Sequence, residues 1–441
     1  MIYSSAYTIS SAYSIVCRRC QSYLYLFLYL IGFLFVVYLL VGAYIRIKMQ
    51  FWHTQPVFHI YNLKYWLNPP GTINIAPPPV NKFTNLKNNT LVLVDASNAS
   101  LSTSHISQFI RDNYMIHDST VYNPSEADIL AYLQCSNQPA FFNVYQESPI
   151  AFGPSTREII GVTSARVLNV TLKRKKKKTP LTFPVYYIDN LCVKPGYRKK
   201  GIAPEMIQTF YYNISRANPK VNAYLFKREG QLNAIVPIVC YDTYAFDMTD
   251  YHADIGINAA ITVIEIGPQQ LNIFITFVKD QIPKFDCVIL PDISNILNLL
   301  KGGNIKLYGV LFQGELIAAY VFRNLELYYG KKKAVECIAI LSASGAGASG
   351  AGAGAGGGAG GGAGAASITI LPTGFALSWK KLNALTQCEI LLIEATADSS
   401  SVIKALDTNL SVKRNFKSPT AFFLYNYAAY SVPSAKALLM Y

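Results

Sequence analysis

The chain has 441 residues, 51% of them hydrophobic and 13% aromatic, with a formal charge of +14. That composition excludes a disordered chain, and the length suffices for two domains with substantial cores. The positive excess points to an anionic partner, whether coenzyme A, nucleic acid or a membrane surface, without choosing among them.

From the amino end, residues 23–45 carry no charge and, at about 1.5 Å per residue, are long enough to span a bilayer. Arg18 and Arg19 on one side balance Arg46 and Lys48 on the other, so no orientation follows. A cleaved signal peptide is the competing reading; the apolar run is long for one, and Val41-Gly42-Ala43 is a poor cleavage site. Cys17 and Cys20 form the sole C-x-x-C and suit palmitoylation beside a membrane. No second pair or histidine spacing completes a zinc site, so neither a metal nor a disulfide framework is expected. Met49 offers an alternative start that would give a soluble protein.

Residues 58–90, rich in Pro, Asn and aromatics, read as an extended wrap; 91–94 reads as a short strand, and 104–114 and 125–133 as helices. Apolar-rich strands are predicted at 158–172 and 181–193. They are joined by a tip, 173–178, whose six adjacent cations must stay solvated and could touch anionic lipid or RNA. A helix is predicted over 204–217. A similar pattern follows: a helix at 269–278, strands at 305–312, 315–322 and 334–341, a helix at 375–385 and a strand at 389–394. The repetition suggests two tandem domains of one fold. Residues 342–366 are entirely Gly, Ala and Ser and read as a flexible insert.

The most informative stretch is 187–207, an apolar strand, a basic glycine-containing turn and a helix. Arg198-Lys199-Lys200-Gly201-Ile202-Ala203 fits R-x-x-G-x-A. Unpaired N–H groups at a helix start, a glycine that admits close approach and fixed positive charge together suit a pyrophosphate. The pattern resembles the coenzyme A loop of GNAT acyltransferases.

Five collinear strings narrow the resemblance. They are Phe51-Trp52-His53-Thr54-Gln55-Pro56-Val57 ("FW-x-TQPV"), Asn113-Tyr114 with 122–133, Glu158 through Ala165, Asn190-Leu191-Cys192-Val193 with Arg198 through Pro204, and Ala421 through Tyr427. Over roughly 50–441 the chain resembles the glycylpeptide N-tetradecanoyltransferase (N-myristoyltransferase) family. The resemblance implies an α+β protein of two tandem GNAT-like domains related by a pseudo-twofold axis, here preceded by a transmembrane helix. Residues 1–22 would be a tail, 23–45 the membrane helix and 49–90 an extended segment; 91–248 would bind acyl-CoA and 249–441 the peptide.

It further implies a monomeric acyltransferase on the cytosolic side of a membrane. A fatty acyl group would pass from acyl-CoA (myristoyl-CoA) to the amine of an N-terminal glycine. Phe51, Trp52, Leu191, Val193 and the run Arg198, Lys199, Lys200, Gly201, Ile202, Ala203 and Pro204 would bind the donor. The N–H groups of Asn190 and Leu191 would form the oxyanion hole, and the terminal carboxylate of Tyr441 would be the base. Tyr114, Asp118 and Asp189 would lie on the peptide side. Cys192, in an apolar strand, has no visible activating base. The chain departs from the family pattern at Ala437, Asp189, Met115 through Asp118, and Arg228-Glu229-Gly230, all on the peptide side. An acetyl-CoA donor, or a degenerate acyl-CoA binder at a membrane, are the other readings these residues leave open.

Overall fold

A computed structural model of the chain describes residues 2–94, 102–115, 120–147, 157–174, 177–230, 234–252, 261–343 and 370–441, with backbone alone for 2–20, 22 and 177–178. Asp118, the centre of the basic tip (175–176) and most of the Gly/Ala/Ser run (344–366) lie outside the described residues. Cys17 and Cys20 fall where only backbone is described.

Helix α1 (Ile2–Lys48) starts well before the predicted span. Its segment Tyr23–Lys48 is long and apolar enough to cross a membrane, and its most apolar window is wholly unburied. A helix satisfies its own backbone, which is what an apolar medium demands.

The rest is built on one mixed sheet. Strand β1 (Asn89–Leu93), helices α2 (Thr103–Asn113) and α3 (Glu126–Leu133), and strands β2 (Phe141–Gln146), β3 (Ile159–Arg174) and β4 (Lys177–Val193) follow in order. Helix α4 (Ile202–Ala217) then carries the chain to β5 (Tyr224–Glu229), and β6 (Val239–Asp247) follows. The second half contains β7 (Ile261–Glu265), α5 (Leu271–Gln281), β8 (Cys287–Leu290), α6 (Ile293–Gly302), β9 (Ile305–Phe312), β10 (Glu315–Tyr329) and β11 (Lys332–Ser342). It ends with α7 (Ile370–Thr386), β12 (Ile390–Glu394), α8 (Ser400–Thr408), β13 (Lys413–Tyr425) and β14 (Ala437–Leu439).

The pairing reveals an internal symmetry. In the first half β2, β3 and β4 pair antiparallel in turn, and β4 pairs parallel with β5 across α4. In the second half β9, β10 and β11 pair antiparallel in turn, and β11 pairs parallel with β12 across α7. The halves meet through exchanged strands: β13, late in the chain, pairs with β5, and β6, from the first half, pairs with β12. Strands β13 and β6 then pair antiparallel with each other, so a pseudo-twofold axis passes between them.

Several strands differ from the sequence reading. Strand β2 was not expected because five of its six residues are buried, which removes the period-2 alternation. Strand β10 runs past the predicted 322 because its register shifts between Asn324 and Leu327, where Glu326 has φ +47°, and a bulge of this kind breaks the alternation. Helix α5 lies slightly carboxyl of the predicted 269–278, after a 3₁₀ turn at Pro268–Gln270. Strands β3 and β4 extend into the predicted tip.

Candidate active site

The basic loop sits where β4 turns into α4. After a short 3₁₀ turn (Pro195–Tyr197), Lys199 and Gly201 adopt left-handed backbone, φ +64° and +86°, and Gly201 is the N-cap of α4. A Cβ on Gly201 would meet nothing, so backbone conformation rather than crowding requires glycine. Gly161 on β3 shows the opposite constraint: a Cβ there would come within 2.5 Å of the Met206 sulfur on α4. That close approach seats the helix against the strand.

The cationic side chains divide. Arg198 donates from Nε to the Val193 carbonyl at 2.9 Å and from Nη2 to the Asn113 carbonyl at 3.2 Å, so it braces the loop from behind. Lys199 and Lys200 remain exposed, Lys200 lying 4.8 Å from the Tyr197 ring centre. Val193 and Ile202 are buried with Met206 in a small core. Their role in the structure is packing beneath the loop rather than facing an open cavity. Ala203 and Pro204 lie in the first turn of α4, half-buried.

Upstream of the loop the β3–β4 ladder breaks. Val162 pairs with Cys192 but Ser164 with Asp189, so Asn190 and Leu191 together oppose Thr163. Asn190 takes φ +53°, the left-handed region that asparagine tolerates better than most residues. A bulge of this type re-aims backbone groups away from the ladder. The Asp189 carboxylate accepts the Asn190 N–H at 2.8 Å and the Tyr114 hydroxyl at 3.3 Å. Burial, then Asp189 beside it, pushes the Tyr114 phenol well above its usual range, so it stays a donor. The Asn190 side chain donates to Ser164 at 2.9 Å. Cys192 is buried and its thiol is pushed up to about 12 by that burial, which leaves it protonated and a poor nucleophile.

Two cavities meet at this bulge. One, of about 250 Å³, is apolar and lined by Trp52, Phe210, Ile214, Phe226 and Tyr425 among others. Trp52 stacks on Phe226 with centroids 5.5 Å apart, while Phe51 is buried behind it against Phe83. The amino-terminal string is fixed by the carboxyl-terminal one: Tyr425 donates to Gln55 at 2.6 Å, and the Asn426 N–H to the Pro56 carbonyl at 2.7 Å. The other cavity, of about 340 Å³, is lined by charged groups including Arg166, Lys227, Glu229, Arg323 and Glu336, together with Tyr441. Tyr114, Ile188, Asp189, Asn190 and Lys227 border both.

The charged cavity holds a buried ionic network. Lys227 lies 2.9 Å from Glu394, 3.4 Å from Glu229 and 3.7 Å from Glu336, and donates to the Tyr441 hydroxyl at 2.7 Å. Arg323 forks onto Glu336 and also donates to the main-chain oxygen of Tyr441 at 3.2 Å. The hydroxyls of Tyr241 and Tyr441 both donate to Glu394. Burial alone would depress Lys227, but Glu394 and the groups around it hold it well above the usual lysine range. Burial raises Glu394 despite the opposing pull of Lys227, whereas Arg323 and Lys227 overcome burial at Glu336 and hold it below the ordinary glutamate value. Glu336 has a guanidinium of its own and Glu394 shares one ammonium, which accounts for the opposite directions.

Tyr114, Asp189, Asn190 and Tyr441 are therefore brought together at one cavity, with Leu191 and Trp52 in the adjoining one. Asp118 lies outside the described residues. The sequence reading missed Arg166, Lys227, Arg323, Glu336 and Glu394. Glu394 is the sole charged residue of its strand, Lys227 is followed by Arg228 and Glu229, and Arg166, Arg323 and Glu336 each follow an apolar residue in strands that carry other charges as well. A charged residue among apolar ones is rarely buried unless paired, and that is the signal that could have found them.

No protein-family model matches the chain, and no curated protein matches it. Solved structures do. A crystal structure of Saccharomyces cerevisiae N-myristoyltransferase with bound myristoyl-CoA aligns with TM-score 0.63 at 13% identity, over 89% of this chain and 94% of that one. A second, also with bound myristoyl-CoA, aligns with TM-score 0.59 at 12% identity, over 88% and 94%. A third, with myristoyl-CoA and inhibitors, gives 0.58 at 13%, over 87% and 91%. The chain has the double acyltransferase fold of these enzymes.

Proposed function

We propose that the chain is an acyltransferase that moves a fatty acyl group from its coenzyme A thioester to the amine of an N-terminal glycine. The observation that carries this reading is the meeting of an apolar, aromatic-lined cavity with a charged one at the Asp189–Asn190 bulge. A long acyl chain suits the first cavity, and an ammonium suits the acids of the second. The glycine-capped start of α4, with Lys199 and Lys200 exposed beside it, suits the coenzyme A phosphates. The solved structures of this fold carry myristoyl-CoA, which favours a long acyl chain over acetyl.

Chemically, the base takes one proton from the ammonium and the free amine attacks the thioester carbonyl carbon. The resulting oxyanion collapses, and a second proton passes from nitrogen to the departing thiolate. The main-chain donors at Asn190 and Leu191 would stabilise the oxyanion. At present the Asp189 carboxylate occupies the Asn190 N–H. Binding of the donor would displace it, and a carboxylate released there is placed to receive the ammonium. The terminal carboxylate of Tyr441 would take the proton, steered by Arg323. Segment Tyr23–Lys48 would anchor the enzyme in a membrane.

The test is to incubate the full-length chain in detergent with myristoyl-CoA and a pool of glycine-starting peptides and to read product masses. Acylated peptides are expected, and adding one residue after Tyr441 should abolish them while myristoyl-CoA still binds. Tight binding of myristoyl-CoA with no acylated product would instead make the chain a binder, and no binding would remove the reading altogether.

A further inference from the structure

Within the charged cavity one cation stands apart. Arg166 on β3 is 3% exposed, yet it makes no ion pair or hydrogen bond among the described residues. Its Nη1 is buried with no partner. Its described contacts are the faces of two rings, Tyr132 at 5.1 Å and Tyr187 at 5.4 Å. The Tyr132 hydroxyl is likewise buried and unpartnered. Both residues line the same cavity. A guanidinium removed from water without a contacting anion is costly, and here the cost is only partly offset: burial lowers Arg166 although Tyr187, Asp189 and Tyr132 nearby pull the other way. The neighbouring acids make no ion pair with it: Glu336 is held by Arg323, Glu326 by Lys333 at 3.0 Å, Glu229 by Lys227, Asp128 by Ser125 and Asn304, and Asp189, which attracts Arg166 from further off, by the Asn190 N–H and the Tyr114 hydroxyl.

We propose that Arg166 and the Tyr132 hydroxyl form an anion seat for a carboxylate that the acceptor carries close to its reactive amine. This rests on reading the charged cavity as the acceptor site. Burial pushes the Tyr132 phenol up to about 12, so it stays protonated and can donate. Pairing puts Ser164 opposite Asp189 and Arg166 opposite Tyr187, so Arg166 and Asp189 share one face of the sheet as diagonal neighbours. Such neighbours lie roughly 7–8 Å apart. One or two residues of extended chain, at about 3.3 Å each, cover that span. An ammonium at Asp189 would thus place on Arg166 either the side-chain carboxylate of an acidic second residue or the free α-carboxylate of a dipeptide. Arginine is suited to such planar, two-point recognition.

The test uses calorimetry on the full-length chain in detergent, with and without myristoyl-CoA. The probes are Gly-Glu-Ala amide against Gly-Gln-Ala amide, and free Gly-Ala against Gly-Ala amide. The carboxylate form of at least one pair should bind roughly tenfold more tightly or better, as a charged hydrogen bond allows. The pair that discriminates identifies the source of the carboxylate. Arg166→Met should erase the difference, and Arg166→Lys should keep part of it; if the methionine variant does not fold, the wild-type pairs and the lysine variant decide. Equal affinities within both pairs, or no binding of any probe, would overturn the seat. Discrimination without myristoyl-CoA binding would keep the seat and remove the acyltransferase reading, whereas the reverse would keep the enzyme and remove the seat.

Discussion

The two cavities that meet at the Asp189–Asn190 bulge are built by different physics. The apolar one is walled by stacked and edge-on rings, Trp52 on Phe226 and Tyr211 against Tyr425, whose burial adds up with area. The charged one is walled by Lys227, Arg323 and Glu336, with Glu394 behind Lys227; each comes from a different strand, and this network depends on each of its charges being answered. The apolar wall should tolerate change gradually, and the charged wall should fail abruptly when one member is removed.

The sharpest break should come at Glu336. Glu336→Leu strips Arg323 of its fork and leaves two cations facing Glu394 and the chain end. Removing one member of a buried pair costs about 3–5 kcal/mol, so a marked drop in melting temperature is expected, read by thermal unfolding. Next in size is Asp189→Ala, which frees the Asn190 N–H but removes the acid proposed to receive the ammonium. Peptide turnover should fall by roughly 100-fold with myristoyl-CoA affinity kept or raised, consistent with the loss of one positioned polar group that the donor otherwise has to displace. An equal loss of myristoyl-CoA binding would show that the two cavities are not divided as argued.

On the apolar side, Trp52→Ala removes one stacked ring. Burial of a large side chain is worth about 2–3 kcal/mol, so myristoyl-CoA affinity should fall about 30- to 160-fold while stability changes less. The smallest effect is expected away from both cavities. His59 stacks on Tyr61 with centroids 4.8 Å apart, and burial lowers its pKa from 6.5 to about 4. Between those values the unfolded chain takes up a proton that the folded chain refuses, so stability is present above about 6.5 and is lost as pH falls towards about 4. His59 is buried, and His59→Phe should remove about 1–2 kcal/mol of that pH dependence, measured by unfolding at pH 7 and pH 4.5.

The same contrast explains what could be read from the sequence. The basic loop was legible because its parts are local: Gly201 at a helix start, cations before it and an apolar strand upstream. The strings at Phe51–Val57 and Ala421–Tyr427 were legible as patterns, although their mutual dependence, Tyr425 on Gln55 and Asn426 on Pro56, appears only in three dimensions. The tandem repeat was legible from element order, but the exchange of β6 and β13 across the axis was not, since strand order in a sheet leaves no local trace. The ionic network was illegible for a related reason. Lys227, Arg323, Glu336 and Glu394 lie on four different strands, and nothing in the spacing says that β5, β10, β11 and β12 bring them within reach.

The most direct test of this division locates the acyl chain. A myristoyl-CoA analogue with a photoreactive diazirine in its chain would be bound to the full-length protein, irradiated, and the labelled residues mapped by peptide mass. The expected labels fall on Phe210, Ile214, Phe226 or Tyr425, all in the apolar wall. Labels in the charged cavity, or scattered over the surface, would contradict the assignment of donor and acceptor to the two sides of the bulge.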